Sequence, residues 1–448
     1  MGRDAGEVGG PSARLVGLEG PGMRGVAQVL ARQGEAVSGT IAEEGATASR
    51  LRRLGIRVDA GHAHRRLPRS TRILIHDPDL PRTHPARLAA TLRGIEQTTP
   101  ADAIGRCLGQ GVGMAVSGDR RAGVAASMIG WTLNHCGYDP TVILDTFTPQ
   151  LGGWGRSGRG PHVVAEVAAE EVSAEIMVLI DGWIDPAERS RALRSRVAAA
   201  SPGDYLLGLA LEGDPDCAND HRPSGVEVER FSLARGVEWW GADVREAGQG
   251  SRFRAFHRGR FVAEVRLQVP GLSAVVSALA TVAACTRAEI PARGIKEALE
   301  EFAGVSRGFE SRGSYRGVTL LDDEARGPSA VGEALAMARR VHGRRRLCVV
   351  YRPDGAGATG LDAGEFAPAD LVWIVDELGR PGGPMAGLLA GALIEAGIRV
   401  SRVACLDEAI RELDRDLEPG DVLVTLGAGD VGTIADAFLR RVSRDRHD

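Results

Sequence analysis

Lysine is nearly absent from this chain. Lys296 is the single lysine among 55 Lys and Arg residues in a sequence of 448 residues. Arginine replaces lysine readily on a solvated surface, so this scarcity indicates a general compositional bias. Such a bias would place arginine, and not a neutral residue, wherever a positive charge is required. A neutral residue at a position that needs lysine therefore requires a different explanation.

Other scarcities exclude whole classes of protein. The six cysteines are widely scattered, with no C-x-x-C pair and no histidine at zinc spacing, which argues against a zinc site or a disulfide framework. No apolar run approaches the ~18 residues of a membrane span, and no basic stretch followed by an apolar one opens the chain. The formal net charge of -4 gives no reason to expect nucleic acid. We therefore expect a cytoplasmic protein without a nucleic-acid or membrane partner.

The length predicts two to four domains, and strand-like apolar runs alternate with helical patterns along the chain. In Arg14 to Gly25, a short apolar run meets a glycine-rich turn and the start of a helix. Gly20, Gly22 and Gly25 would let the backbone approach a pyrophosphate at the helix N-terminus. A tight turn in any α/β domain is the alternative. Glu19 inside the turn argues against a dinucleotide.

A second strand, loop and helix pattern runs from Met114 to Ser127 and has the layout of a phosphate-binding loop. A working loop of this kind needs a lysine on the β and γ phosphates and a Ser or Thr hydroxyl on Mg2+. Ala122 and Gly123 stand at those positions, and Asp119 adds a negative charge. The loop is therefore either a former nucleotide site or a chance look-alike.

Carboxylates follow several of the predicted strands, among them Glu166, Asp322 and Asp323. The carboxyl ends of parallel strands are where α/β sheets place their ligands. Solvated strand ends and helix caps are the alternative for these side chains. A glycine-rich segment at 152–160 predicts a flexible loop.

A series of different short motifs runs along the chain from about Arg14 to the C-terminal helix. They are G-L-E-G-P-G-M at 17–23, V-S-G-T-I at 37–41, G-H at 61–62, G-Y-D-P-T at 137–141, V-P-G-L-S-A-V-V-S-A-L-A at 269–280, R-G-F-E at 307–310, D-D-E-A-R-G-P at 322–328, P-G-D at 419–421 and G-A-G-D at 427–430. Each motif alone is modestly specific. In their order and spacing they resemble the motifs of the Mur ligase family, and within it those of the ligases that act on UDP-N-acetylmuramate.

The resemblance implies an α/β protein of three domains: an N-terminal Rossmann-like domain for a UDP-sugar, a central P-loop-type domain with a mixed sheet, and a C-terminal Rossmann-like domain. We expect a flexible tail at 1–12 and domains at 13–107, 108–309 and 310–448. The family uses ATP and Mg2+ to activate the carboxylate of the sugar as an acyl phosphate, which an amine then attacks. By resemblance, the UDP-sugar candidates are Gly20, Gly22, Met23, Ser38, Gly39 and His62, and the C-terminal candidates are Arg307, Asp322 and Asp323.

The chain departs from the family pattern at the nucleotide site. The segment that matches the family's phosphate loop lacks both the lysine and the Mg2+-binding hydroxyl, and it consists of Gly118, Asp119, Arg120, Arg121, Ala122 and Gly123. Ala274 and Ser277 stand where the family has asparagine for the adenine, and the metal-binding histidine is missing from 179–186. We therefore expect neither ATP nor Mg2+ as a bound cofactor, and no metal site.

The leading hypothesis from the sequence is a pseudoenzyme, meaning a binding or regulatory protein linked to peptidoglycan precursor metabolism. It would bind a UDP-sugar, form a homodimer, or associate with an active Mur ligase. The alternative is an active ATP-dependent UDP-N-acetylmuramate-amino acid ligase with a nucleotide site rebuilt around Arg120 and Arg121, because guanidinium groups bind phosphate well. A chain that binds no ligand at all is the third interpretation.

Overall fold

The computed structural model describes residues 12–42, 44–61, 67–167, 172–181, 186–211, 224–247, 250–353, 360–376, 383–427 and 429–445. The chain divides into two compact units, Met1–Ala303 and Gly304–Asp448, which are described separately below. Nearly all of the expected flexible tail, and His62, lie outside the described residues. The domain boundaries expected at 107 and 309 stay predictions.

The first sheet of unit 1 is parallel and, in the described residues, has five strands in the order β3-β2-β1-β4-β5. Its strands are β1 Ser12–Val16, β2 Ala36–Ile41, β3 Arg57–Ala60, β4 Thr71–His76 and β5 Glu96–Thr98, and its helices are α1 Met23–Arg32, α2 Ala46–Arg53, α3 Pro85–Leu92 and α4 Pro100–Leu108. Every residue of β1 is buried, as expected for a central strand with helices on both faces. The alternation of strand and helix gives the Rossmann-like arrangement that the sequence predicts.

The second sheet of unit 1 has ten strands within the described ranges, in the order β15-β14-β13-β12-β11-β10-β6-β9-β7-β8. The strands are β6 Val112–Gly118, β7 Thr141–Thr148, β8 Gly153–Arg156, β9 His162–Glu166, β10 Ile176–Ile180, β11 Tyr205–Leu209, β12 Glu227–Ser232, β13 Trp239–Ala247, β14 Gly250–His257 and β15 Arg260–Leu267. Its helices are α5 Arg120–His135, α6 Pro186–Ala199, α7 Leu272–Arg287 and α8 Ala292–Glu301. The central strands are parallel, whereas β13, β14, β15 and β8 pair in antiparallel fashion at the two edges. The sheet is therefore mixed, as predicted.

Helix α1, which follows β1 of the first sheet, packs closely on β7 and β8 of the second sheet and so connects the two sheets of unit 1. A Cβ atom at Gly25 would lie 2.7 Å from both the backbone N and O of Leu144, so only glycine fits this contact. Gln28 is fully buried, donates to the Gly152 carbonyl at 2.8 Å, and accepts from the backbone N of Trp154 at 2.8 Å. These contacts hold α1 against β7 and β8.

Unit 2 contains a sheet whose described strands number six, in the order β16-β17-β21-β18-β19-β20. Its strands are β16 Glu310–Tyr315, β17 Val318–Asp323, β18 Leu347–Arg352, β19 Leu371–Val375, β20 Arg399–Val403 and β21 Val422–Gly427, and its helices are α9 Pro328–His342, α10 Ala363–Phe366, α11 Gly383–Glu395, α12 Leu406–Asp416 and α13 Thr433–Asp445. Only the β16–β17 pair is antiparallel among the pairings described for this sheet. The predicted α/β fold class is confirmed in both units.

The segment at 152–160 is not the flexible loop that its glycines predicted. It contains β8, and a Cβ atom at Gly158 or Gly160 would lie within 2 Å of a backbone oxygen of the Tyr138–Asp139 turn. The glycines allow close backbone packing here. Across the described residues, no helix is long and apolar enough to cross a membrane.

Candidate functional site

Helices α1 and α5 of unit 1 follow the two glycine-containing turns at the carboxyl ends of β1 and β6, and each presents its N-terminus as a place for an anion. Helix α5 follows β6 after Asp119, which is the N-cap residue. The Asp119 carboxylate accepts from the Arg121 backbone N at 2.9 Å, and the Arg121 guanidinium lies 2.8 Å from it. The Asp119 side chain is only 4% exposed. The chain therefore supplies its own anion, with its own counter-charge, at the start of α5.

The two positions that replace the lysine and the Mg2+-binding hydroxyl are closed by packing. Ala122 and Gly123 are both buried. A Cβ atom at Gly123 would lie 2.0 Å from Thr146 Oγ1 and 2.7 Å from Glu166 Oε1. A serine or threonine at this position would therefore require both neighbours to move.

Glu166 ends β9 and accepts hydrogen bonds from two residues within β7. One of its oxygens accepts from the backbone N of Asp145 and of Thr146 at 2.9 Å each, and the other accepts from Thr146 Oγ1 at 3.3 Å. Loss of hydration, together with the nearby Asp145 charge, raises the pKa of Glu166 to about 7 in spite of these donors. The carboxyl group therefore titrates near neutral pH.

The N-terminus of α1 also holds an anion from the chain itself. Gly22, whose φ of 72° favours glycine, is the N-cap residue, and its backbone N lies 2.8 Å from each carboxylate oxygen of Asp145. Arg24 lies 3.8 Å from the same carboxylate. Asp145 thus has two partners. Its carboxylate binds the N-terminus of α1, and its backbone N donates to the carboxylate of Glu166.

A cavity of about 310 Å³ opens beside this pair of contacts. Four acidic residues line it, Asp77, Asp79, Asp145 and Glu166, together with Gly22 and several apolar residues. This concentration of negative charge disfavours a phosphate inside the cavity. In the described part of the chain, no group of three or more His, Cys, Asp or Glu is placed to hold a metal ion.

The residues around α5 do not fit Mg2+-bound ATP, which the family resemblance implies. The helix end already carries the Asp119 carboxylate, and Gly123 leaves no room for a metal-binding hydroxyl. Ser277, one of the residues in place of the adenine-binding asparagine, donates its hydroxyl to the Arg121 carbonyl at 3.1 Å. The Arg121 guanidinium and the Ser277 hydroxyl thus bind other residues of this chain, at positions where a nucleotide site would have groups that bind ATP.

The structure separates the predicted UDP-sugar residues into two groups. Gly20, Gly22 and Met23 lie together at the start of α1, although the Met23 side chain is fully buried. Ser38 and Gly39 lie within β2, paired with β1, and not at the carboxyl end of the strand. Their role in binding a UDP-sugar stays a prediction.

The C-terminal candidates lie in unit 2 at the carboxyl end of β17, where Arg307 and Asp322 contact each other. The Arg307 guanidinium contacts Asp322 at 3.2 Å and donates to the Gly427 carbonyl at 2.7 Å. Asp322 is 1% exposed, and burial raises its pKa although Arg307 and the Thr425 hydroxyl favour its charged form. Asp323 accepts from the backbone N of Phe309 at 2.7 Å and from the backbone N of Ala325 at 2.8 Å. The Arg307–Asp322 ion pair and the contacts of Asp323 both stabilise the carboxyl end of β17.

Sequence reasoning missed Asp145. It singled out carboxylates after other strands but not this one, within the long β7 strand. The available signal was its position directly after the apolar run at 142–144.

The chain has extensive similarity to known proteins. A model described as "Mur ligase family, catalytic domain" matches residues 13–110, and one described as "Mur ligase, glutamate ligase domain" matches residues 307–429. The UDP-N-acetylmuramate--L-alanine ligase of Gloeobacter violaceus is 31% identical over 453 residues, covering 97% of this chain and 96% of that protein. The same ligase of Salinibacter ruber is 28% identical over 457 residues, covering 96% and 95%.

Solved structures show the same fold over nearly the whole chain. A UDP-N-acetylmuramate-alanine ligase from Thermotoga maritima has a TM-score of 0.80 at 21% identity and covers 97% of this chain and 99% of that one. A murein peptide ligase from Psychrobacter arcticus has a TM-score of 0.72 at 17% identity and covers 97% and 98%. Taken alone, the full-length similarity to ligases favours an active ligase over a loss of ligation.

Proposed function

Since the chain belongs to the Mur ligase family, we propose that it is a binding or regulatory protein of peptidoglycan precursor metabolism that does not perform ATP-dependent ligation. The observation that carries the proposal is the closed start of α5. Asp119 and Arg121 neutralise each other there, and Gly123 packs against Thr146 and Glu166. The ligand we propose is a UDP-sugar, with Gly20 and Gly22 as its contacts.

Phosphoryl transfer depends on positive charge held around the phosphates, because catalysis consists mostly of positioning and charge neutralisation. At the start of α5 the guanidinium of Arg121 already binds Asp119 through three contacts of 2.8 to 3.1 Å. A triphosphate would have to displace a carboxylate whose side chain is almost fully buried. Like-charge repulsion and the loss of this ion pair both oppose that exchange.

An active ligase is the second candidate, and the full-length similarity to UDP-N-acetylmuramate--L-alanine ligases supports it. Under this hypothesis Arg121 leaves Asp119 and, with Arg120, binds the phosphates in place of lysine. Guanidinium groups are suited to phosphate through their paired donors. A ligase of this kind would need an Mg2+ site that does not depend on a hydroxyl at position 123.

The experiment is a ligation assay with the full chain, ATP, Mg2+, UDP-N-acetylmuramate and L-alanine. We expect no phosphate release above the blank and no new product by mass spectrometry, while calorimetric titration with UDP-N-acetylmuramate alone gives a binding isotherm. The Thermotoga maritima ligase serves as the positive control under the same conditions. Phosphate release that requires both substrates and is lost in the Arg120→Ala, Arg121→Ala double variant would establish the second candidate instead.

A further inference from the structure

The N-terminus of α1 binds a carboxylate, although neither its N-cap residue nor its first turn provides one. The first turn of α1 contains no acidic residue, and Gly22 offers no side chain to cap the helix. The anion comes from Asp145, which is 123 positions away in the chain and places both oxygens 2.8 Å from the Gly22 backbone N. A helix N-terminus in contact with a carboxylate in this way has the geometry in which it would hold a phosphate oxygen.

We propose that Asp145 is an internal competitor for the diphosphate of a nucleotide ligand at the N-terminus of α1. The proposal rests on the proposed function for its ligand class, a UDP-sugar. The diphosphate and the Asp145 carboxylate would need the same backbone N–H group, so one excludes the other. Asp145 thereby lowers the affinity of the chain for nucleotide sugars.

The surroundings fix Asp145 in this competing position. Its backbone N donates to Glu166 at 2.9 Å, and it lies in β7, onto which α1 packs without a gap at Gly25. Buried hydrogen bonds from Gln28 to β8 and to the turn before it hold the helix in place. The carboxylate is therefore already ordered at the N-terminus of α1, so its contact with Gly22 costs no further conformational entropy.

Displacement of Asp145 by a ligand is unfavourable for electrostatic reasons. The adjoining cavity is lined by Asp77 and Asp79, so a displaced carboxylate would move among like charges. Arg24, at 3.8 Å, favours the position that Asp145 already has. A diphosphate would also add its own negative charge beside this cavity. Removal of the Asp145 charge abolishes the first penalty and lowers the second.

The test compares UDP affinity, measured by calorimetry at about 0.15 M salt, for the unaltered chain, Asp145→Ala and Asp79→Ala. Asp79 is the matched control because its carboxylate lines the same cavity but no hydrogen bond links it to α1 among the described contacts. We expect Asp145→Ala to bind UDP about tenfold more tightly, as expected when one charge-assisted hydrogen bond no longer competes. We expect the UDP affinity of Asp79→Ala to rise by less than about threefold, because this substitution only removes a nearby negative charge.

Uridine and inorganic pyrophosphate separate the parts of the ligand. Asp145→Ala should gain affinity for pyrophosphate and leave uridine binding unchanged. Equal UDP affinity of the unaltered chain and Asp145→Ala, absence of UDP binding in Asp145→Ala, or an equal gain in Asp79→Ala would each overturn the proposal. Asp145→Asn replaces Asp145→Ala if thermal melting shows that the alanine variant is not folded. None of these measurements includes ATP, so the ligation assay can overturn the proposed function independently.

Discussion

The titration of Glu166 predicts how the stability of unit 1 depends on pH. The folded protein raises the pKa of this carboxyl group from 4.5 to about 7. Between these two values the folded state holds a proton that the unfolded chain releases, so stability falls as the pH rises from about 4.5 to about 7. Above pH 7 both states are ionised and the loss is complete. Glu166→Gln removes this dependence because the amide does not ionise.

The magnitude follows from the difference between the two pKa values. A difference of about 2.5 pH units, at about 1.36 kcal/mol for each unit, corresponds to about 3 kcal/mol. This figure is an upper limit, since Glu166 faces a cavity that water can enter. The glutamine oxygen can still accept from the backbone N of Asp145 and Thr146, and its amide can donate to the Thr146 hydroxyl. We therefore expect Glu166→Gln to be more stable than the unaltered chain at pH 8 by about 1 to 3 kcal/mol.

The assay is urea unfolding of both proteins at pH 5 and pH 8, followed by tryptophan fluorescence. The difference between the proteins at each pH cancels the titration of groups that both share. Glu289→Gln, at an exposed position of the same unit, is the matched control and should track the unaltered chain at both values. The reasoning is refuted if Glu166→Gln is no more stable than the unaltered chain at pH 8, or if the difference is the same at pH 5.

Two further substitutions test packing and buried charge. Gly25→Ala should lower the thermal stability of unit 1 by about 2 kcal/mol or more, because its Cβ atom meets the Leu144 backbone at 2.7 Å; an unchanged melting temperature would contradict this. Arg307→Ala should destabilise unit 2 by about 3 kcal/mol in urea unfolding, because it removes the guanidinium from Asp322, which is 1% exposed. Arg326→Ala, which removes a more exposed guanidinium, is the control, and an equal loss in both variants would show that the buried pair is not the cause.

Local patterns predicted most of the fold. Arg14 to Gly25 and Met114 to Ser127 each gave a strand, a glycine-containing turn and a helix start, and the structure has β1 with α1 and β6 with α5 at these places. Such predictions succeed because apolar periodicity and glycine act over a few residues. The segment at 152–160 failed for the opposite reason. Its glycines are required by backbone that approaches from the Tyr138–Asp139 turn, and composition alone cannot distinguish close packing from mobility.

The candidate site shows the same limit more sharply. The sequence identified Ala122 and Gly123 as replacements for the lysine and the hydroxyl residue, because both positions belong to one short motif. It could not identify Asp145 as the cap of α1, since that contact joins residues 123 positions apart. A side chain that occupies a helix end from another element leaves no local pattern. A contact of this kind becomes visible only once the strands are paired.

The N-termini of α1 and α5 are linked through one set of contacts. Glu166 accepts from the backbone of Asp145, whose carboxylate caps α1, and its other oxygen lies where a side chain at position 123 of α5 would be. A hydroxyl at position 123 would displace Glu166 and so disturb the hydrogen bonds that Glu166 accepts from the backbone of β7. A lysine at position 122, which is buried, would still find Asp119 at the start of α5. The surroundings of the two helix ends are therefore coupled through Glu166 and Asp145.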